Sequence, residues 1–235
     1  MKKEWGWRVL RFFLGLTAWL GILSAIAVSA VTNESLMKHG FLQYAQTAHL
    51  GVPASRYGDY AKALVRYLDG KEEAVLITDP ETKQPTPAFS QRENDHLSDV
   101  RHVVNSLKQF RWIGGGLAVA VIGGLYLFKK KDGPLPLAPW TRGFALAALA
   151  LLAVFTALAV WGAVNFDGLF ITFHKIAFTN DLWLLNPNTD VLMALMPLPF
   201  FIWYAGEILK AMGPVLGMML LVIIAWIKGG KRRGA

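Results

Sequence analysis

The chain has 235 residues, 54% of them hydrophobic and 17% charged, with a mean hydropathy of +0.38. Soluble domains carry about 25% charged residues, so the composition argues against an ordinary soluble globule and for a membrane protein. The net charge of +8 comes with no basic stripe interleaved with aromatics, so nucleic acid is not an expected partner. The absence of cysteine removes disulfides, thiol nucleophiles and thiolate metal sites.

Residues 1–11 hold Lys2, Lys3, Arg8 and Arg11 ahead of an uncharged apolar run, 12–31. Such a run, at about 1.5 Å per residue, matches a hydrocarbon core of about 30 Å, and it is predicted as the first span. Its end, Val28-Ser29-Ala30, resembles a signal-peptidase site. The run is longer than the roughly 7–15 apolar residues of a signal peptide, so an uncleaved anchor is the reading. Residues 32–111 are polar and balanced, with ten Lys/Arg and ten Asp/Glu. Within them, 55–69 has the pattern of an amphipathic helix. Ser55 would cap it, Tyr57, Tyr60, Ala61, Leu64 and Leu68 share one face, and Gly70 stops it. Residues 74–78 are β-prone, and 79–87, with three prolines, read as a turn or loop. A second helix is predicted over 94–110, capped by Asn94 or Asp95. The segment as a whole is expected to be α-rich, with a small β element possible, and to pack on the spans.

The second span is predicted at 112–128, where Gly116, Ala120 and Gly124 have the small-xxx-small spacing that lets helices approach. A Pro-rich loop, 129–142, carries Lys129, Lys130, Lys131 and Arg142, and 143–164 forms the third span. Residues 173–201 then interrupt the apolar pattern with His174, Asn180, Asp181, Trp183, Asn186, Pro187 and Asp190. An amphipathic element at the membrane surface fits this mixture better than a plain span, where polar groups are costly. The fourth span is predicted at 205–227, ahead of Lys228, Lys231, Arg232 and Arg233. The N-terminus, the 129–142 loop and the C-terminus together hold twelve Lys/Arg and two acids. Positively charged short loops stay cytoplasmic. The expectation is one all-α polytopic membrane domain with four transmembrane helices and both termini cytoplasmic. Residues 32–111 and 165–204 would share the outer side.

Motifs of serine hydrolases, zinc peptidases, P-loops and dinucleotide sites are missing from the sequence. His39 and His49 lie in a bland stretch and read as solvated. His96 and Asp99 stand at i, i+3 on one helix face. The carboxylate either orients the imidazole or merely suits a helix start, and both readings stand. His174 lies among aromatics, as a functional group or as an ordinary interfacial histidine. Asp181 and Asp190 read equally as helix caps, and Trp183 as part of an aromatic belt. A metal site from His96, Asp99, His102 and His174 is weakened by the i, i+3, i+6 spacing, which fans around a helix. No metal and no cofactor are expected.

Two blocks go further. The first holds Phe89, Arg92, Glu93, His96, Leu97, Asp99, Val100 and Arg101; the second holds Phe173, His174, Phe178, Asn180, Asp181, Trp183, Pro187 and Asp190. In residue type and interval they resemble the bacterial lipoprotein intramolecular transacylases, four-span integral membrane proteins. Leu198 departs from the pattern, which has an acid after Pro197. The resemblance implies an acyltransferase of the bacterial cytoplasmic membrane with its active face extracytoplasmic. Its partners would be a diacylated lipoprotein substrate and membrane lipid. The sn-2 acyl chain of an S-diacylglyceryl cysteine would pass to the same molecule's α-amino group. His96 and His174 would be the catalytic histidines. Arg92, Glu93, Asp99, Arg101, Phe173, Asn180, Asp181, Trp183 and Asp190 would support them, with Asn180 or the Trp183 indole as candidate oxyanion donors. Two other classes remain beside it: a metal-dependent membrane hydrolase using His96, Asp99 and His174, and a non-catalytic protein that binds lipid or a partner.

Overall fold

The apolar and amphipathic runs form helices almost throughout, and the computed structural model describes residues 2–132 and 137–231. In chain order these are α1 (Lys2–Val31), α2 (Glu34–Tyr44), α3 (Tyr57–Leu68), the strands β1 (Leu76–Thr78) and β2 (Pro85–Pro87), α4 (Gln91–Asp132), α5 (Leu137–Val164), α6 (Phe166–Ala177), α7 (Val191–Leu195) and α8 (Leu198–Lys231). Among the described residues, three stretches are long and apolar enough to cross a membrane: Trp5–Val31, Pro139–Val164 and Leu198–Gly229. The segment predicted as a separate span at 112–128 is helical too, but as the unbroken continuation of α4. The predicted loop 129–142 is much shorter than expected, because α4 runs to Asp132 and α5 starts at Leu137. Its remaining residues, 133–136, and the predicted flank at Arg232 and Arg233 lie outside the described residues.

The chain divides into two compact units, the first made of Met1–Ile26, Leu107–Val164 and Ala211–Ala235. Here glycine sets the helix contacts. A Cβ on Gly114 would sit 2.6 Å from the Gly21 Cα and 2.7 Å from the Thr17 carbonyl oxygen, backbone atoms that cannot yield. Close approach of this kind is how helices associate where burial of apolar surface provides no drive. The predicted contact face is therefore displaced: Gly116 and Ala120 are exposed, and Gly124 lies further along the same helix. Many large side chains point outward, among them Val119, Val164 and Leu221, as a lipid-facing surface requires.

The second unit comprises Ala27–Ser106 and Asn165–Lys210. Its core joins Phe41 of α2 to Tyr57, Tyr60, Ala61, Leu64 and Leu68 of α3, and to Phe89, Leu97, Leu195 and Phe200. The amphipathic face read from 55–69 is thus the buried one, and Gly70 ends the helix with a positive φ of 76°. Ser55 does not cap α3. It lies in the 3-10 turn Ala54–Arg56, and Arg56 occupies the cap position without a side-chain bond. The prolines of 79–87 do not prevent a second strand. Pro85 and Pro87 flank Thr86, which pairs with Ile77 in an antiparallel two-stranded ladder. Such a ladder has only edges, and proline is tolerated there.

Candidate active site

Helix α4 begins earlier than its sequence suggested, because Ser90 and Glu93 form a capping box. The Ser90 amide donates to Glu93 Oε2 at 2.7 Å, and the Glu93 amide faces Ser90 Oγ at 3.4 Å. Neither Asn94 nor Asp95 is the cap: Asn94 donates its side-chain amide to the Phe89 carbonyl at 2.9 Å, and Asp95 accepts from Gln91 at 2.7 Å. Starting at Gln91 turns His96 inward, where it is 8% exposed. Helix α6 is started by Asn165, whose side chain accepts the Gly168 amide at 2.9 Å. That start places His174 on the buried side, 7% exposed.

The two imidazoles meet. Their ring centroids are 6.1 Å apart, and the Phe178 ring packs against both, at 5.3 Å and 5.5 Å. His174 is sandwiched further by Phe170 at 4.1 Å and Trp183 at 5.0 Å, with Phe173 edge-on at 5.3 Å. His174 Nδ1 lies 2.7 Å from the Phe170 carbonyl oxygen. A carbonyl only accepts, so Nδ1 carries the proton and the neutral ring keeps its lone pair on Nε2. His96 Nδ1 is buried without a hydrogen-bond partner among the described residues. Both rings line a cleft of about 170 Å³ whose other walls include Phe170, Trp183, Leu192 and Met196.

This setting keeps both histidines neutral at pH 7. Burial, and after it the neighbouring His174, push His96 down to about 4, with Asp99 acting in the opposite direction. Burial also lowers His174, against the opposing effect of its bond to Phe170. Desolvation disfavours the imidazolium because a charge loses more hydration than a neutral ring.

The remaining candidates frame this pair. Asp99 Oδ2 accepts from the Asn180 side-chain amide at 2.8 Å, and Asn180 Oδ1 accepts the Leu182 amide at 3.1 Å. Of the two readings of Asp99, an orienting bond to the imidazole is not formed; its carboxylate instead ties α4 to the loop after α6. Arg92 ties the same loop, donating to the Asp181 carbonyl at 2.8 Å and the Leu184 carbonyl at 3.5 Å. Trp183, between those anchors, is held over His174. Its indole N–H has no hydrogen-bond partner among the described residues. Glu93 is 2% exposed and spends its second oxygen on the Leu192 amide at 2.6 Å, capping α7 from a distance. Asp190 occupies the cap position of α7 but bonds elsewhere, accepting the Asn186 amide at 2.7 Å. Asp181 caps no helix; its carboxylate is exposed. Arg101 stands apart from the histidines, over the Tyr67 ring at 4.7 Å and beside Glu73 at 3.5 Å. His39 is exposed beside Trp203, and the exposed His49 bonds the Pro187 carbonyl through Nε2 at 3.0 Å.

Sequence reasoning missed Phe170, and it named Phe178 as part of the matched block without placing it among the site residues. Phe170 and Phe178 each stand four residues from His174, a helical spacing that carries the signal in retrospect. Among the described residues, no three or more His, Cys, Asp and Glu gather in a metal-binding arrangement. His102 is exposed and does not join the pair.

Comparison with known proteins bears on this arrangement. The sequence model of a family described as "Lipoprotein intramolecular transacylase Lit" matches residues 12–201. No curated protein matches the chain. Among solved structures, the membrane-integral lipoprotein intramolecular transacylase Lit from Bacillus cereus is similar, with a TM-score of 0.68 and 22% identity over 97% of this chain and 98% of that one. Structures of the same Bacillus cereus protein with one histidine replaced by arginine or by alanine give TM-scores of 0.65 and 0.64 at 20% identity. They cover 99% and 100% of this chain. At such identities the likeness speaks to the fold, while the family match takes in well over half of the sequence, including both histidine blocks. The chain belongs to the lipoprotein intramolecular transacylase family.

Proposed function

We propose that this protein moves the sn-2 acyl chain of an S-diacylglyceryl-cysteine lipoprotein to that molecule's own N-terminal amine, giving a lyso-form lipoprotein. One observation carries the reading: two neutral imidazoles, 6.1 Å apart, share a cleft of about 170 Å³. That volume suits an ester and an amine, and leaves the acyl tails to the surrounding lipid. The cationic flanks of the predicted spans support an outer-face site on the bacterial cytoplasmic membrane, with both termini inside.

In the reaction the amine nitrogen forms a bond to the ester carbonyl carbon, and that carbon's bond to the glycerol oxygen breaks. One proton travels from the amine to the departing oxygen. The amine reacts in its free-base form (α-amino pKa about 7.7–8.0), and its N–H becomes acidic as the nitrogen bonds to the carbonyl carbon, so a base must take that proton during the attack. His174 is suited to this, because the Phe170 carbonyl fixes Nδ1–H and leaves Nε2 free to accept. The imidazolium so formed is stabilised by that same bond and by the flanking rings, and it returns the proton to the glycerol oxygen. His96, the ring harder to protonate, acts as a neutral hydrogen-bond donor to the developing oxyanion. The Trp183 indole is the second donor; the Asn180 amide is already engaged by Asp99. Donor and acceptor groups belong to one substrate, so tethering supplies much of the proximity. The apolar walls exclude water, which would otherwise hydrolyse the ester.

The engagement of Asp99 with Asn180 favours this chemistry over a metal-assisted hydrolase built on His96, Asp99 and His174. The test uses purified protein and two diacylglyceryl lipopeptides, one with an isotope-labelled sn-2 chain and the other with a labelled peptide. Mass spectrometry should find the N-acyl product labelled in one part or the other, never in both. His96→Ala and His174→Ala should abolish it. Doubly labelled product, or normal product from both variants, refutes the reading.

A further inference from the structure

Beside the histidine cleft lies a larger open one, of about 560 Å³, which no step of the transfer uses. The two share a wall made of Ile171, Trp183 and Leu184. Phe178, whose ring touches both imidazoles, also faces the larger cleft. Its volume falls within the roughly 300–1,000 Å³ of ligand-binding pockets. Its lining differs in kind from the histidine cleft, with Lys175, Thr179, Asn180 and Asp181 exposed around it. Among the described residues, neither the Lys175 ammonium nor the Asp181 carboxylate has an ion-pair partner.

An acyl chain in this cleft would desolvate both charges and return nothing for it. A polypeptide returns charge pairing and hydrogen bonds. The connectivity of the substrate points the same way. The N-terminal cysteine branches three ways at its α-carbon: amine, thioether-linked glyceryl ester, and the carbonyl that begins the rest of the protein. The first two react and must meet between the imidazoles. The third has to leave the reaction centre through an adjoining space, and the cleft across Trp183 adjoins that centre.

We propose that the cleft lined by Lys175 and Asp181 binds the polypeptide just after the acylated cysteine, with these two charges selecting among lipoproteins. This deepens the transacylase reading and rests on it. Lys175 would favour an acidic residue in the first few positions after cysteine, and Asp181 a basic one.

The experiment compares three diacylglyceryl lipopeptides that carry acidic, basic or uncharged residues directly after the cysteine. The readout is the ratio of kcat/KM for the acidic and basic peptides. Charge pairs at such exposed positions are modest, so Lys175→Glu should shift that ratio toward the basic peptide by roughly three- to tenfold. Asp181→Lys should shift it the opposite way, and Lys175→Gln should fall between Lys175→Glu and the unaltered enzyme. Because only a ratio within each variant is compared, a partly unfolded variant does not mimic the result. Ratios unmoved in all three variants overturn the peptide site while leaving the transacylase reading intact. So does inhibition by glycerol phosphate that Lys175→Glu abolishes while the ratio stays fixed, which would assign the cleft to a lipid headgroup. Failure of the unaltered enzyme to convert any lipopeptide overturns both readings.

Discussion

The Glu93 carboxylate holds the amide of Leu192 at 2.6 Å with one oxygen and the amide of Ser90 at 2.7 Å with the other, joining the first turns of α4 and α7. The next turn of α4 carries His96, and α7 supplies Leu192 and Met193 to the cleft wall. Removing the carboxylate orphans two amides, at about 1–3 kcal/mol each where they are buried. Glu93→Ala should therefore lower the Tm in detergent sharply, and Glu93→Gln, which retains one acceptor oxygen, by less. Equal Tm values for Glu93→Ala and the unaltered protein would contradict a bridging role.

Activity should rise with pH in two stages. Burial lowers His174 below its ordinary value of 6.5, while the substrate amine titrates near about 7.7–8.0. Log kcat/KM should then climb with a slope of about one between about pH 6.5 and 8, and more steeply only below the His174 pKa. An enzyme-derived break above pH 6.5, absent from His174 variants that retain residual activity, would contradict the neutral base.

Stability should depend on pH in the same direction. His96 titrates near 4 when folded and near 6.5 when unfolded, so between those values the unfolded chain binds more protons. Stability is then complete above about pH 6.5 and is lost as the pH falls toward 4. Replacing His96 with Gln should flatten this acid limb, measured as Tm against pH. A limb of unchanged steepness would assign the loss to other groups.

Trp183 offers both a ring face to His174 and an indole N–H without a partner among the described residues. Trp183→Phe keeps the first and removes the second. Loss of one oxyanion donor typically costs about a hundredfold or more in kcat, so kcat should fall by about that factor with KM little changed. A fall of only a few-fold would reduce Trp183 to a wall of the cleft.

The two ties on the loop after α6 should be separable by coupling. Asp99→Ala and Asn180→Ala each break the same 2.8 Å bond, so the double variant should be little worse than either single one in kcat/KM. Additive losses would show that Asp99 acts on the histidine pair directly.

What was legible in the sequence was mostly local or shared by whole runs of residues. Three of the four expected spans, the buried face of α3 and the stop at Gly70 follow from apolar length, from period and from glycine's freedom at positive φ. The pairing of His96 with His174 came through the matched blocks, since spacing within either block says nothing about contact between them. The capping box at Ser90 and Glu93 was present as S-x-x-E but masked by nearby Asn94 and Asp95, which are equally good caps on paper. The long-range partners of Glu93, Asp99 and Arg92 were not legible at all, being amides and carbonyls 81 to 99 residues away. Two prolines made 85–87 look like loop, because propensity does not reveal that a strand has a free edge.

The bond from His174 Nδ1 ends on the main chain of Phe170. Exchanging that phenylalanine for another residue alters the packing against the imidazole yet leaves the oxygen in place. The proton's address on the ring is thus inherited from a helical turn, and no second codon has to be kept for it. Mutational drift at position 170 can retune the acidity of the site without reversing which nitrogen does the work.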